Sequence, residues 1–233
     1  MYQKLRESEK VKDDFVNIAA HELRTPIQPI LGLADILRSK ETDGGEKAGY
    51  LDVIIRNAKR LQRLTQDILD ITRIESKSLD LKKESFNLSE MIFSAIADSS
   101  NQIAKEHKDN LKLEFIDPKE DIFITADKGR INQVISNLLN NAIKFTNEGT
   151  VIVSVASVRI NNEIVVSISD TGPGIDSEIL PRLFTKFATK SKTGTGLGLF
   201  ISKSIIEAHG GKIWGKNNSD GRGAKFFFSL PTR

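Results

Sequence analysis

The sequence predicts an α+β protein in two parts, an antiparallel helical hairpin followed by an α/β sandwich of helices on a sheet. Three observations predict it. Residues 5–77 carry apolar side chains at helical spacing, interrupted once by a breaker cluster. Beyond Lys82 the pattern switches to helical runs interleaved with stretches that alternate apolar and polar residues. A chain of 233 residues, 39% hydrophobic and 28% charged, suits a folded globular protein with room for one large domain or two small ones.

The first helix is expected over about residues 5–40, where Phe15, Ile18, Ala19, Ile27, Ile30, Leu31, Ala34 and Leu37 recur at spacings of three and four. Glu41-Thr42-Asp43-Gly44-Gly45-Glu46 breaks it. A second helix follows to about residue 77. Leu51, Ile54, Ala58, Leu61, Thr65, Ile68 and Thr72 keep a heptad seam along it. The short connection makes the helices antiparallel neighbours. Two helices alone cannot bury their stripes, so the sequence predicts a homodimer in which two hairpins form a four-helix bundle. The domains are set at residues 1–80 and 81–233.

In the second domain a helix is expected over about 88–107. Short strands follow over Leu111–Ile116 and Asp121–Thr125, then a helix over about 127–145. Thr150–Ile160 and Glu163–Ser169 alternate around Asn161-Asn162, a hairpin signal. Further helices are expected near 177–184 and 197–209, and final strands near 212–217 and 224–230. Mixed helices and antiparallel strands give one sheet under a helical layer.

Cysteine is absent, which excludes disulfides and thiolate metal sites and fits a reducing compartment. No run approaches the ~18 apolar residues of a membrane span, and no secretory signal is present. The expectation is a cytoplasmic chain with no membrane contact. Met1 opens directly into helical sequence, as a truncated chain would, and any anchor of a longer protein would lie outside it. The net charge of +3 arises beyond residue 80. It lacks the dense basic stripe that nucleic acid demands but suits a small anionic ligand.

His21 is one of three histidines. It sits in Phe15-Val16-Asn17-Ile18-Ala19-Ala20-His21-Glu22-Leu23-Arg24-Thr25-Pro26, with Glu22 beside it and Thr25 one helical turn on, on the same face. Attack on a phosphoryl group by imidazole needs one free ring nitrogen. The other nitrogen should face an acceptor that stabilises the developing positive charge. Glu22, expected to be exposed, suits that part. Pro26 and Pro29 remove the amides that would bond the carbonyls of Glu22 and Thr25, so a bend is expected just past His21. The same residues also fit a solvated surface pair. His107 is expected to be solvated, His209 to cap a helix before Gly210-Gly211, and Trp214 to pack in a strand.

Three stretches downstream share a logic. Asn137 and Asn141 lie one turn apart on a helix face, with Lys144 a further turn on. Amide oxygens suit a hard cation such as Mg²⁺, which keeps phosphate oxygens among its ligands, and the lysine neutralises phosphate charge. Two surface amides would look the same. Asp170-Thr171-Gly172-Pro173-Gly174 closes a strand. A buried carboxylate there can accept a hydrogen bond from an exocyclic amine, and the glycines let a base approach the backbone. An ordinary turn has the same composition.

Gly194-Thr195-Gly196-Leu197-Gly198-Leu199 runs into a helix, where glycine amides make an anion cradle. No strand precedes it, as a dinucleotide fingerprint requires, and no Gly-Lys-Ser/Thr ends it, as a P-loop requires. The loop before it carries Phe184, Lys186, Phe187, Lys190 and Lys192. It reads as a glycine-hinged lid that closes on phosphate, or as a plain flexible loop.

Together and in this order, these stretches resemble the sensor histidine kinases of two-component signalling, over essentially the whole chain. Residues 8–77 resemble the dimerisation and phosphotransfer domain. Residues 82–233 resemble the catalytic ATP-binding domain of the Bergerat type, also found in certain chaperones and topoisomerases. The resemblance implies a protein-histidine kinase that uses ATP and Mg²⁺, phosphorylates its own His21 and passes the phosphoryl group to an aspartate on the receiver domain of a response regulator. Glu22 would be the acid/base, and Thr25 the residue that orients water when such proteins dephosphorylate their partner.

By the same resemblance Asn137 and Asn141 form the asparagine box and hold Mg²⁺, with Lys144 near phosphate. Asp170 reads adenine, with Gly172 and Gly174 beneath the base. Phe184 and Phe187 form the aromatic box of the lid. Gly194, Gly196 and Gly198 match the second glycine box, and Thr195, Leu197 and Lys190 complete the nucleotide site. The lid offers Lys186, Lys190, Thr193 or none of them as the contact to the γ-phosphate. The ATP-hydrolysing relatives carry a glutamate where Asn137 stands. An asparagine is no base, so slow hydrolysis and transfer to a protein nucleophile are expected. Two other readings share the fold: a protein that mainly dephosphorylates its regulator, and a non-catalytic dimerisation module that senses nucleotide.

Overall fold

The computed structural model describes residues 2–39, 44–105, 110–116, 118, 120–158, 162–190, 194–219 and 221–232. The chain divides into two units, Met1–Ser76 and Lys77–Arg233. The expectation for His107 lies outside the described residues.

The first unit is a pair of helices, α1 (Tyr2–Ser39) and α2 (Gly44–Glu75), packed on each other. α1 continues as helix through Pro26 and Pro29, although each proline removes one backbone donor. Leu64 and Ile71, one heptad apart, are the buried apolar side chains of α2. Ile54, Leu61 and Ile68 of the expected seam are half-buried, and Leu51, Ala58, Thr65 and Thr72 are exposed. A two-helix hairpin covers only one stripe of each helix. The line of closest packing therefore falls on Leu64 and Ile71, and much of the seam stays at the surface.

α2 also buries a carboxylate. Asp70 is fully buried, and its Oδ1 accepts a hydrogen bond from Gln66 at 3.2 Å. Burial, then the like charge of Asp70, raises the Asp67 carboxyl to about 6, with Arg63 opposing.

The second unit opens with β1 (Lys83–Asn87), α3 (Leu88–Lys105), β2 (Leu111–Ile116), β3 (Phe123–Asp127) and α4 (Lys128–Phe145). It continues with β4 (Gly149–Val158), β5 (Glu163–Asp170), α5 (Gly198–Ala208), β6 (Lys212–Asn217) and β7 (Ala224–Pro231). The strands form a five-stranded sheet of order β2-β4-β5-β7-β6 and a separate two-stranded sheet, β1-β3.

Five points of the sequence reading are corrected. There are two sheets, not one. β2 and β4 run parallel, because β3 and α4 lie between them and give the long crossover that parallel pairing needs. β1 escaped the sequence reading because only Phe86 of its five residues is buried, leaving no alternation to detect. Its partner β3 starts two residues later than expected, since Phe123–Asp127 is the segment in register with Lys83–Asn87. The helix expected near 177–184 is a single 3₁₀ turn, Leu180–Arg182. Asp176 accepts the amides of Glu178, Ile179 and Leu180, and Pro181 has no N–H to carry the helix on.

The β4–β5 hairpin forms as expected, with Val158 opposite Glu163. α3, α4 and α5 pack against the five-stranded sheet. α4 buries Ile131, Val134, Ile135, Leu138, Leu139 and Ala142 at three-four spacing. Ile201, Ile205 and Ile206 of α5 and Val151, Val153, Val166, Ile168 and Phe228 of the sheet complete the core. Full burial of each such side chain stabilises by about 1.5–3 kcal/mol.

Asp127 caps α4. Its Oδ1 accepts the Arg130 amide at 3.0 Å and its Oδ2 the Lys82 amide at 2.9 Å. Burial pushes this carboxyl upward, but those two bonds and the charge of Arg130 outweigh it and hold it below the usual range. The Asp127 amide donates to Nε2 of His209 at 3.0 Å, and Nδ1 of His209 bonds the carbonyl of Ile205 at 2.8 Å. His209 does sit at the C-cap of α5. It is buried, and desolvation holds its pKa down.

Asp67 gives a pH prediction. Its folded pKa of about 6 lies above the ordinary 3.8, so the folded state binds the proton more tightly. Stability from this group is full below pH 3.8 and is lost as pH rises through about 6. Asp67→Asn is expected to stabilise the helical unit by about 1–3 kcal/mol near neutral pH and to give little gain at about pH 4. Thermal melting followed by circular dichroism at both pH values checks this. Equal melting of parent and variant near neutral pH would remove the argument.

Candidate active site

His21 lies on the exposed face of α1, its side chain 76% accessible. Its Nδ1 is 3.9 Å from Oε1 of Glu22. Glu22 differs from expectation. Its side chain is only 22% accessible, and its Oε2 accepts from Nη2 of Arg60 at 3.1 Å. Arg60 on α2 ties down one carboxylate oxygen and leaves the other toward the imidazole. The sequence reading did not single out Arg60. The available signal was that residues 22 and 60 lie at similar distances from the facing ends of α1 and α2, on opposite arms of the hairpin. Thr25 shares the face of His21 as expected, and its hydroxyl donates to the His21 carbonyl at 3.0 Å.

In the second unit the fold brings Asn137 to the second glycine box. Nδ2 of Asn137 donates to the Gly198 carbonyl and to Oγ of Ser202, each at 3.4 Å. A Cβ built on Gly198 would stand 3.5 Å from the Asn137 amide carbon, an ordinary contact. With its nitrogen engaged by protein oxygens, the Asn137 amide presents its oxygen as a ligand. Asn141 is half-buried one turn on. Among the described residues no three His, Cys, Asp or Glu side chains are grouped to hold a metal. A cation at the two asparagines would therefore draw further ligands from phosphate, as Mg²⁺ does. Lys144 lies over the ring of Phe145, with Nζ 5.4 Å from the centroid.

Asp170 is buried at the end of β5. Its Oδ1 accepts the amides of Gly172 at 2.9 Å and Ala224 at 3.2 Å. Burial raises this carboxyl, and those two bonds oppose the rise. Its carbonyl accepts from Asn218 at 2.9 Å. Asn217 clamps the following loop, accepting the Ile175 amide at 2.6 Å and donating to the Ile175 carbonyl at 3.0 Å. Gly172 is forced by crowding, since a Cβ there would lie 2.7 Å from the Phe145 carbonyl oxygen. Gly174 has φ +82° and faces Asn217. Asn217 and Asn218 were missed in the sequence because they act from the far side of a sheet turn.

The lid segment meets the glycines directly. Gly196 has φ +68°, and a Cβ there would lie 2.6 Å from the Phe187 carbonyl carbon. Phe184 and Phe187 are half-buried, and Phe187 itself has φ +61°. Gly194 leads into Thr195, whose hydroxyl accepts the Leu197 amide at 3.3 Å. Leu197 is buried at the start of α5 and anchors it. Lys190 is engaged by two carboxylates. Its Nζ pairs with Asp176 at 2.8 Å and Glu178 at 2.7 Å. Lys186 lies over the ring of Phe200. Lys192 and Thr193 lie outside the described residues.

Residues 11–77 match the His Kinase A (phospho-acceptor) domain. Residues 126–233 match the histidine kinase-, DNA gyrase B- and HSP90-like ATPase. The catalytic domain of histidine kinase ThkA is 34% identical, over 65% of this chain and 96% of that one, with a TM-score of 0.56. The chain belongs to the histidine kinase family. ThkA solved in complex with the response regulator protein TrrA is 30% identical, over 99% of this chain and 65% of that one, with a TM-score of 0.72. The sensor protein KdpD of Clostridium acetobutylicum is 35% identical over 97% of this chain. This histidine kinase chain spans 25% of KdpD, and 12% and 38% of two other curated relatives.

The lid contact of the kinase yields a contrast between two glycines. Gly196→Ala forces both a left-handed alanine and a clash with the Phe187 backbone. It is expected to lower the melting temperature by about 5 °C. Gly198→Ala meets only ordinary contacts and adds helix propensity, so its melting should match or exceed the parent's. Differential scanning calorimetry of the two variants separates them, and equal effects would contradict the close approach.

Proposed function

We propose that this chain phosphorylates its own His21 from ATP and passes the phosphoryl group to an aspartate on a response-regulator receiver domain. One combination of residues carries the reading. The chain pairs an exposed imidazole, backed by a tethered carboxylate, with a nucleotide domain that carries Asn137 where a water-activating base would stand. Transfer to a protein nucleophile is what such a site does best.

The step balances within named groups. Nε2 of neutral His21 attacks the γ-phosphorus, the bond to the bridging oxygen breaks, and ADP leaves with its electron pair. The ring becomes cationic, and its Nδ1 proton passes to Oε1 of Glu22. Arg60 keeps Oε2 occupied, so Oε1 is the oxygen turned to that proton. Mg²⁺, held by Asn137 and Asn141, would neutralise charge on the transferring group, with Lys144 adding to it. Asp170 accepts the adenine amine through Oδ2, because Oδ1 already takes two amides. Gly172, Gly174, Phe184, Phe187 and the 194–198 turn form the rest of the nucleotide site. Lys190 reaches phosphate by leaving Asp176 and Glu178.

The helical hairpin pairs with a second copy. Leu31, Leu51, Ile55 and Leu69 remain exposed on α1 and α2, and a four-helix bundle would cover them. The receiver domain docks near His21; the solved ThkA–TrrA pair supports this choice of partner. Among the described residues no helix is long and apolar enough to cross a membrane. The reading places this part of the protein in the cytoplasm, where ATP is.

A second activity has its own observation. The Thr25 hydroxyl is exposed one turn from His21 on the same face, where it can orient water on a docked aspartyl phosphate.

Incubation with γ-labelled ATP and Mg²⁺ is expected to give an acid-labile, base-stable label. His21→Gln should lose it by at least about a thousandfold, and retained label would refute the acceptor. Thr25→Ala is expected to keep autophosphorylation and to slow dephosphorylation of the regulator about tenfold or more. An unchanged dephosphorylation rate would show that Thr25 has no such role.

A further inference from the structure

We infer that the outer edge of β6 is a docking site for an extended acidic segment of another polypeptide, read as acidic–x–apolar–x–acidic by Lys212, Trp214 and Lys216.

The helices cover one face of the five-stranded sheet, where Ile164, Val166, Ile168, Phe226, Phe228 and Leu230 are buried. The alternate side chains point to the opposite face. On β6 these are Lys212, Trp214 and Lys216, all exposed. On β7 they include Phe227, opposite Trp214, and Lys225, opposite Lys216.

The charge on this face is unbalanced. Lys216 and Lys225 form a like-charged cross-strand pair, which costs stability. Both ammonium groups lie over the Phe227 ring, 5.6 and 5.3 Å from its centroid. Trp214 stacks on the same ring at 5.1 Å, with an angle of 6° between the planes. Among the described residues no carboxylate pairs with Lys212, Lys216 or Lys225. A partner that brings carboxylates relieves the repulsion, so charge complementarity selects an acidic one.

The edge supplies the geometry. β6 is the last strand of the sheet, so its outer side presents backbone donors and acceptors that no further strand takes up. A segment that adds there repeats its side chains on one face every ~6.6 Å. Lys212, Trp214 and Lys216 repeat at the same interval. Carboxylates at the first and fifth positions of the segment then face the two lysines, and an apolar side chain at the third covers Trp214. The order Lys–x–Trp–x–Lys is symmetric and fits either strand direction.

Lysines on an edge also repel unwanted strands. A second copy of β6 would set lysine against lysine. Nucleic acid fits less well. The surplus over the whole chain is +3, and three lysines fall short of the roughly six to ten phosphate contacts of a typical DNA-binding protein.

Fluorescence anisotropy of the whole chain with a labelled peptide built on Glu-Thr-Val-Thr-Glu tests this. Binding is expected at about 100 μM or tighter. A peptide reordered to Glu-Glu-Thr-Thr-Val should bind about tenfold more weakly. The double variant Lys212→Glu, Lys216→Glu should weaken the acidic peptide about tenfold or more, and strengthen a Lys-Thr-Val-Thr-Lys peptide by a similar factor. Loss of fold would not produce that reversal. Equal binding of the ordered and reordered peptides by the parent overturns the inference, as does an unchanged affinity in the double variant. Should the variant not fold, amide NMR shifts of the parent decide. With the acidic peptide they are expected along Lys212–Asn217, and shifts confined elsewhere overturn the inference. Tighter binding of single-stranded oligo-dT than of the peptide overturns it in favour of nucleic acid. Shifts of the β6 amides that follow chain concentration without peptide overturn it in favour of a second copy.

Discussion

Two side chains join α4 to α5 at widely separated points, and the nucleotide unit depends on them. At the start of α4, the Asp127 amide donates to the buried imidazole of His209 at the end of α5. Halfway along α4, Asn137 donates to Gly198 and Ser202 at the start of α5. The helices are thereby fixed antiparallel and in register. Each bond is worth only about 0.5–1.5 kcal/mol net, and most of the stability comes from the apolar side chains between them. The polar pair decides which of many apolar registers is adopted. Once it is set, the second glycine turn must face the asparagine face of α4, and a phosphate chain can lie between them.

His209 shows how such a bond is kept. Its Nε2 must stay unprotonated to accept an amide. Desolvation lowers its pKa, and nearby Lys83 pushes the same way against the opposing pull of Asp127 and the Ile205 carbonyl. Asp127 meanwhile caps α4 and receives Lys82, so a single residue ties the strand that opens the unit to the helix that carries the asparagines. Asp170 is the converse case. It is a carboxylate buried at a strand end, and the amides of Gly172 and Ala224 both go to one of its oxygens. Rule-breaking polar burial of this kind is what binding sites retain.

Much of the architecture was legible because it is periodic. The long helices, the β4–β5 hairpin and the two last strands carry repeats that survive any tertiary context. The errors fall where local pattern is silent. β1 has one buried residue in five, and its strand character comes from β3. The turn at Leu180–Arg182 has helical composition, yet Pro181 has no N–H with which to extend it. The parallel pairing of β2 with β4 depends on what crosses between them, which neither strand encodes. The site follows the same division. His21, Asn137, Asn141, Asp170 and the glycines stood out by residue type and spacing. Arg60, Asn217 and Asn218 did not, because each acts on a partner far away in the chain.

The amino-acid order by itself determined the two-part organisation, the helix face shared by His21 and Thr25, and the chemistry available at each motif. Those follow from side-chain type and from periods of two and 3.6 residues, which need no neighbours to be read. Only the tertiary structure decided which groups meet. It turned Glu22 from a surface carboxylate into one held by Arg60, placed Asn137 against Gly198, and brought Asn217 to Ile175. Long-range contacts of this kind have no local period, since they are selected by the packing of the whole core and not by the residues alongside them in the chain.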